Sequence, residues 1–225
     1  MAKALVPFKR FLNGRTEFKN LVQLLDLLKR TARDRTVQRE SVWLHIKDKC
    51  SSYISNVAVG YGKTALLHLI ELKPTIAYLK GIANTAQDER YIRHLEKFVK
   101  QGYDYLHVDG GNRSDTILAW FGELDDEVVN ALSPDRRLEN FPLKLQKATY
   151  PLGKMEQGIF VRTGSLCLDT KNWSRQELIE QGGEHKKLAD QIDQMLFSIE
   201  VYTQLTEEDR KDLFYNLNDN EEVTS

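Results

Sequence analysis

Residues 103–120 read Y-D-Y-L-H-V-D-G-G-N-R-S-D-T-I-L-A-W, and this stretch limits the fold more than any other. Residues 103–108 alternate large apolar and polar side chains, the period of a strand with one buried face. Gly110 and Gly111 follow at once. Lacking Cβ atoms, they permit a sharp backbone turn and a close approach to a neighbour. From Arg113 onward the period is helical: Ile117, Leu118 and Phe121 form an apolar stripe, and Ser114 or Asp115 is placed to cap its start. The order is strand, glycine turn, helix N-terminus. Such an N-terminus turns unpaired N–H groups and the positive end of the helix dipole towards one point, which suits a phosphate. Asp109 adds a carboxylate that can hold a metal ion or a water, and Arg113 a guanidinium that can clamp phosphate through two bonds. Two readings stand side by side: an ordinary Asp-Gly turn, common in many folds, and a phosphate or nucleotide site.

Composition narrows the class. A chain of 225 residues fits one large domain or two small ones, and no repeat, low-complexity tract or Pro- or Ser-rich linker marks a division. An apolar fraction of 41% beside a charged fraction of 29% is that of a soluble globular protein. The net charge of -1 argues against polyanion binding by the molecule as a whole. Charge is nonetheless uneven. The N-terminal part is basic (Arg30, Arg33, Arg35 and Arg39 among others), and the C-terminal end is acidic, with Glu207, Glu208, Asp209, Glu221 and Glu222. A basic face is either a solvated surface or a nucleic-acid contact. Cys50 and Cys167 are far apart and show no ligand spacing, which suggests a reducing compartment without a disulfide framework. With neither a signal-peptide core nor an apolar run long enough to span a bilayer, the expectation is a cytoplasmic protein with no membrane partner.

Periodicity predicts a helix over 16–31, capped by Thr16, with Phe18, Leu21, Val22, Leu25 and Leu28 inward. A second helix is expected over about 44–56, after a Trp43 that reads as a core anchor. Further helices are expected over 74–82, 87–101 (with a Glu96–Lys100 pair, ending at Gly102), 125–132, 173–181, 184–194 and 206–218. Ser174 with Glu177, and Thr206 with Asp209, have capping-box spacing. Residues 65–72 fit strand or helix; 141–150, 158–168 and 196–202 look extended. One α+β domain over 1–225, with helical additions, is the simplest architecture. The sequence also reads as the N-terminal part of a longer protein, leaving room for a further C-terminal domain or a partner subunit.

Several chemistries find no support. Gly60, Gly62, Lys63 and Thr64 suggest a Walker A loop, but the position that must hold its first glycine is Val57, so 60–64 reads as a turn. His45, His68, His94, His107 and His185 show no zinc spacing. His107 has two readings, a ring that reaches the site beside Asp109 or a core residue, and strand alternation favours the core. There is no G-x-S-x-G motif.

Three separated segments resemble one family, in its order. Gln38 and Arg39, followed by Trp43 in Q-R-E-S-V-W, resemble a first motif. Asp109, Gly110, Gly111, Asn112 and Arg113 resemble a D-G-Q-Q-R motif at a strand end. The closing F-Y-N-L-N, with Asn216 and Asn218, resembles a third, helical motif. The family is the ParB/sulfiredoxin-like domain of GmrS-type components of modification-dependent restriction systems. The resemblance covers about residues 37–224 and departs where Gly111 and Asn112 replace two glutamines, positions that bear on the nucleotide used and on its turnover. It implies a small mixed sheet with helical additions. It also implies an NTP-binding and NTP-hydrolysing domain, using ATP or GTP with Mg²⁺, whose turnover is linked to DNA recognition, restriction or processing. Residue by residue, it implies Asp109 (also the metal ligand) and Arg113 as catalytic, and Gln38, Arg39, Gly110, Gly111, Asn112, Ser114, Asn216 and Asn218 as nucleotide-binding. Two alternatives stay open: a phosphotransferase acting on a DNA base or another acceptor, and a non-enzymatic DNA- or protein-binding module.

Overall fold

Residues 14–20 depart from the pattern expected of them. In a computed structural model of the chain, Gly14–Asn20 is a strand (β1), and the helix expected over 16–31 begins only at Leu21. The structure describes residues 13–34, 42–60, 67–156, 159–170 and 172–219, without the side chains of 155, 156, 159, 160, 162–166, 218 and 219. β1 pairs antiparallel along its whole length with Leu196–Tyr202 (β7), and Thr16, expected to cap a helix, instead donates to Glu200 across that pair at 2.5 Å. Asn20 caps the helix Leu21–Lys29 (α1): its side chain accepts from the Gln23 N–H while Gln23 reaches back to the Asn20 N–H. The buried stripe is therefore Leu21, Leu24, Leu27 and Leu28, whereas Phe18 and Val22 are exposed.

Thr31–Ala32 (β2) follows, then a 3₁₀ turn at Val42–His45, and a helix Lys49–Ala58 (α2). The helix expected from 44 is thus split, with Asp48 in the left-handed region between the two pieces. Of residues 60–64, only Gly60 is described. Leu67–Glu71 (β3) runs directly into Leu72–Ile82 (α3), and Ala86–Lys100 (α4) follows with a capping box at Thr85 and Asp88. α4 ends at Gly102, whose φ of +93° suits a residue without Cβ. Glu96 makes its ion pair with Lys80 of α3, at 2.7 Å, rather than within its own helix. Tyr105–Asp109 (β4) leads into Gly111–Phe121 (α5), Asp126–Ala131 (α6) and Pro134–Asn140 (α7). Ser133 and Pro134, which follow α6, begin the next helix: Ser133 caps α7 and Pro134 fills its first position. Of the extended stretch expected over 141–150, only the end is strand; Thr149–Glu156 (β5) pairs with Ile159–Asp169 (β6) as a separate hairpin. Arg175–Gln181 (α8), with its Ser174–Glu177 capping box, then Gly183–Asp193 (α9), β7 and Glu207–Asp219 (α10) complete the described chain.

The fold is α+β. Five strands make one mixed sheet in the order β1-β7-β3-β4-β2: β1/β7 and β3/β4 are antiparallel, β7/β3 and β2/β4 parallel. Strand alternation divides the core in two. Leu67, Leu69, Phe197, Ile199 and Val201 face α1, α2, α5 and α9. Ile70, Leu106, Val108 and Tyr202 face α3, α4 and α10. Both sheet faces are covered, which is why β3 reads as a near-continuous apolar run and not as an alternation. No described helix is long and apolar enough to cross a membrane.

Candidate functional site

The turn that closes β4 brings a carboxylate, a guanidinium and a helix start together. Gly110 has φ +94° and is the N-cap residue of α5, so the cap position itself offers no side chain to the first turn of the helix. Neither Ser114 nor Asp115 is the cap, because the helix already begins at Gly111 and both lie buried inside it. A Cβ at Gly110 would overlap Cδ2 of Leu67, so the backbone approaches β3 more closely than any other residue allows. The leading N–H groups of α5, like those of any helix, have no carbonyl partner within their own helix. Asp109 Oδ2 and Arg113 Nη1 are 3.8 Å apart beside them, with side chains 25% and 17% exposed. The acid and the guanidinium share one partly open corner.

Two residues that the sequence did not single out shape this corner. His68 lies opposite Asp109 in the β3/β4 register, and its Nδ1 is 3.0 Å from the Tyr202 hydroxyl. Burial pushes its imidazole below the ordinary histidine range, Asp109 and Glu200 pull it back up, and Arg113 pushes it further down. Tyr53 packs against Trp43 with the rings tilted by 56° and their centroids 5.4 Å apart. Burial raises the Tyr53 phenol to about 12, and the Arg113 charge pulls in the opposite direction. Arg113 thus acts on Asp109, His68 and Tyr53 from one place. His107, read from sequence as a core residue, is buried; burial and the Arg33 charge take it down to about 3, so it is a neutral imidazole under the site.

The other expected site residues have different surroundings. Asn112 Oδ1 accepts the Trp43 backbone N–H at 3.1 Å, a bond that fastens the 3₁₀ turn to α5. Ser114 is fully buried, and its hydroxyl has no hydrogen-bond partner among the described residues. Asn216 is exposed on α10, whose Leu213 and Phe214 pack on the sheet face opposite α5. Gln38 and Arg39 lie outside the described residues, as does the Asn218 side chain. Among the described residues, no three His, Cys, Asp or Glu side chains converge as a metal-binding group. A divalent ion here would rest on Asp109 together with phosphate oxygens and water, the mode usual for Mg²⁺.

Periodicity also gave no sign of a pair that anchors α5. Arg33 forks onto Asp115, with Nη1 2.5 Å from Oδ2 and Nη2 bonded to Oδ1, and it also reaches the Gly111 carbonyl at 3.2 Å. Asp115 is buried, so its charge is held by this arginine. Arg30 pairs with Asp104 at 2.9 Å. Two of the arginines of the basic N-terminal part are thus engaged with carboxylates of the chain itself. Comparisons with protein-family models, with curated proteins and with solved structures return no match.

Proposed function

We propose that the chain is a ParB/sulfiredoxin-like domain that binds a nucleoside triphosphate, ATP or GTP with Mg²⁺, at the start of α5 and hydrolyses it in connection with DNA. The observation that carries this reading is the α5 N-terminus, capped by a glycine, with Asp109 and Arg113 3.8 Å apart beside it. Main-chain N–H groups and the helix dipole hold phosphate oxygens there. Arg113 neutralises the charge that develops on the transferred phosphoryl group. Asp109 holds the attacking water, or the metal ion when it is bound; the ion supplies charge neutralisation on the phosphates. Water adds to the terminal phosphorus, the bond to the bridging oxygen breaks, the nucleoside diphosphate leaves, and the proton of the water passes to phosphate oxygen and on to solvent. Asn112 and the Trp43 turn fix the angle at which α5 meets the ligand.

The test is to incubate the chain with each nucleoside triphosphate and Mg²⁺, with and without DNA, and to follow phosphate. Release without an acceptor is the expected result, and Arg113→Ala or Asp109→Ala lowers it by roughly 100-fold or more, with circular dichroism unchanged. Label moved onto DNA instead of into solution makes the chain a phosphotransferase. Turnover at the wild-type rate in both variants, or no nucleotide binding by the wild type, contradicts the reading.

A further inference from the structure

β1 ends the five-stranded sheet, with β7 on one side and no strand on the other among the described residues. Asn13, Gly14, Arg15, Thr16 and Phe18 are exposed, Phe18 to 67%. The Asn13 carbonyl accepts the Thr203 N–H at 3.1 Å, so the backbone groups of Asn13, Arg15, Glu17 and Lys19 turn towards β7. Alternation turns those of Gly14, Thr16, Phe18 and Asn20 outwards. The Asn20 N–H is already taken by Gln23 Oε1 at 3.1 Å. Gly14, Thr16 and Phe18 therefore present a row of outward N–H and C=O groups on an extended strand, the kind of edge that templates another strand.

We infer that this edge pairs antiparallel with the same edge of a second copy of the chain, about a two-fold axis that passes by Thr16. Such an axis must pass by one residue and its own copy, because only then do opposite side chains share a face. The charges of the strand select among these registers. Pairing centred on Arg15 or Glu17 sets that charge against itself, and the Glu17 register also sets Arg15 against Lys19. Pairing centred on Phe18 needs the Asn20 N–H, which the helix cap holds. Pairing centred on Thr16 sets Arg15 of each copy opposite Glu17 of the other and Thr16 opposite Thr16, combinations that stabilise a sheet. It also uses every outward backbone group of Gly14, Thr16 and Phe18 in both copies. Phe18 of one copy then lies across from Gly14 of the other, on the face that Tyr202 occupies. The Tyr202 ring already leans over Gly14, since a Cβ there would come within 2.9 Å of Tyr202 Cδ1. Phe18 thus meets a glycine flanked by an aromatic ring, a combination that secures register at a strand edge. Lys19, of the residue type that keeps other strands off an edge, falls opposite the uncharged Asn13. The two-fold pairing joins two five-stranded sheets into one and occupies the β1 edge of both copies. The contact is short and belongs with weak, reversible interfaces. β7 and β3 lie between this edge and β4, so the inference is independent of the nucleotide reading.

Sedimentation equilibrium of the full chain over roughly 10 µM to 1 mM tests it. The expected result is a mass that rises from monomer to dimer. Arg15→Glu and Glu17→Arg each set like charges opposite one another and weaken the dimer by roughly tenfold or more. An equimolar mixture of these two variants restores opposite charges at both pairs, and dimerisation recovers to within roughly threefold of the wild type. Misfolding of either variant cannot produce that recovery. Thr16→Pro removes an outward N–H, keeps the bonds to β7, and abolishes the dimer with circular dichroism unchanged. A wild-type chain that stays monomeric throughout the range overturns the inference. So does a dimer that Thr16→Pro leaves at full strength, an Arg15→Glu dimer as tight as the wild type or tighter, or charge variants that stay weak when mixed.

Discussion

Gly110 is the residue where one added carbon does most harm. Its φ of +94° is strained for any residue with a Cβ, and that Cβ meets the fully buried Leu67. The backbone cost is about 1–2 kcal/mol, and forcing a core neighbour aside adds about 1–3 kcal/mol. Gly110→Ala is therefore expected to lose about 2–5 kcal/mol of stability by urea denaturation; a loss under about 1 kcal/mol contradicts the close approach. His107 gives a prediction of opposite character. Its folded value of about 3 lies below the ordinary 6.5, so the unfolded chain takes up a proton there that the folded chain refuses. Stability contributed by the neutral ring is complete above about 6.5 and falls as pH drops from there towards 3. The slope approaches about 1.4 kcal/mol per pH unit for one histidine. His68, also lowered by burial, adds in the same direction. Between pH 6.5 and about 5, above most carboxylate values, His107→Gln is expected to flatten the urea-stability slope. An unchanged slope contradicts a neutral buried ring.

At the scale of elements, caps and ion pairs decide where helices begin and how they are held. Thr85→Ala removes the α4 capping box and is expected to cost about 1 kcal/mol in urea denaturation. Asp115→Asn breaks the Arg33 fork inside α5 and is expected to cost about 1.5–3 kcal/mol, moderated because Arg33 can turn towards water. If the two substitutions cost the same few tenths, Asp115 is not a buried anchor. The helices of residues 86–100, 175–181, 183–193 and 207–219 were legible in the sequence because each has a local signal: a cap, a glycine stop or a clear apolar stripe. β7 was legible from Phe197, Ile199 and Val201. β1 was not, since Phe18, which faces solvent, falls in helical phase with Leu21 and Leu25, and only the pairing with β7 decides between the two. The acid and guanidinium at residues 109 and 113 were legible because they sit one helical turn apart across a glycine bend. The Arg33–Asp115 and Asp34–Arg210 pairs were not, since sequence separations of 82 and 176 leave no local trace. Consecutive residues after β2 send their side chains to opposite layers, a consequence of extended backbone that becomes visible only with the sheet in place.

Across the whole molecule, the sheet separates two polar centres. Arg33 reaches α5 and the corner of Asp109 and Arg113; Asp34 reaches His94 of α4 and Arg210 of α10. A covered mixed sheet of five strands gives each centre rigid neighbours and keeps them apart. The claim on which the functional reading rests is positional: phosphate oxygens meet the backbone of the β4–α5 turn. Amide resonances of ¹⁵N-labelled protein, followed as ATP or GTP with Mg²⁺ is added, test this directly. The account predicts that Gly110, Gly111, Asn112 and Arg113 shift first and furthest, and that Arg113→Ala abolishes their shifts. Titration that leaves these four amides in place while resonances elsewhere move contradicts it.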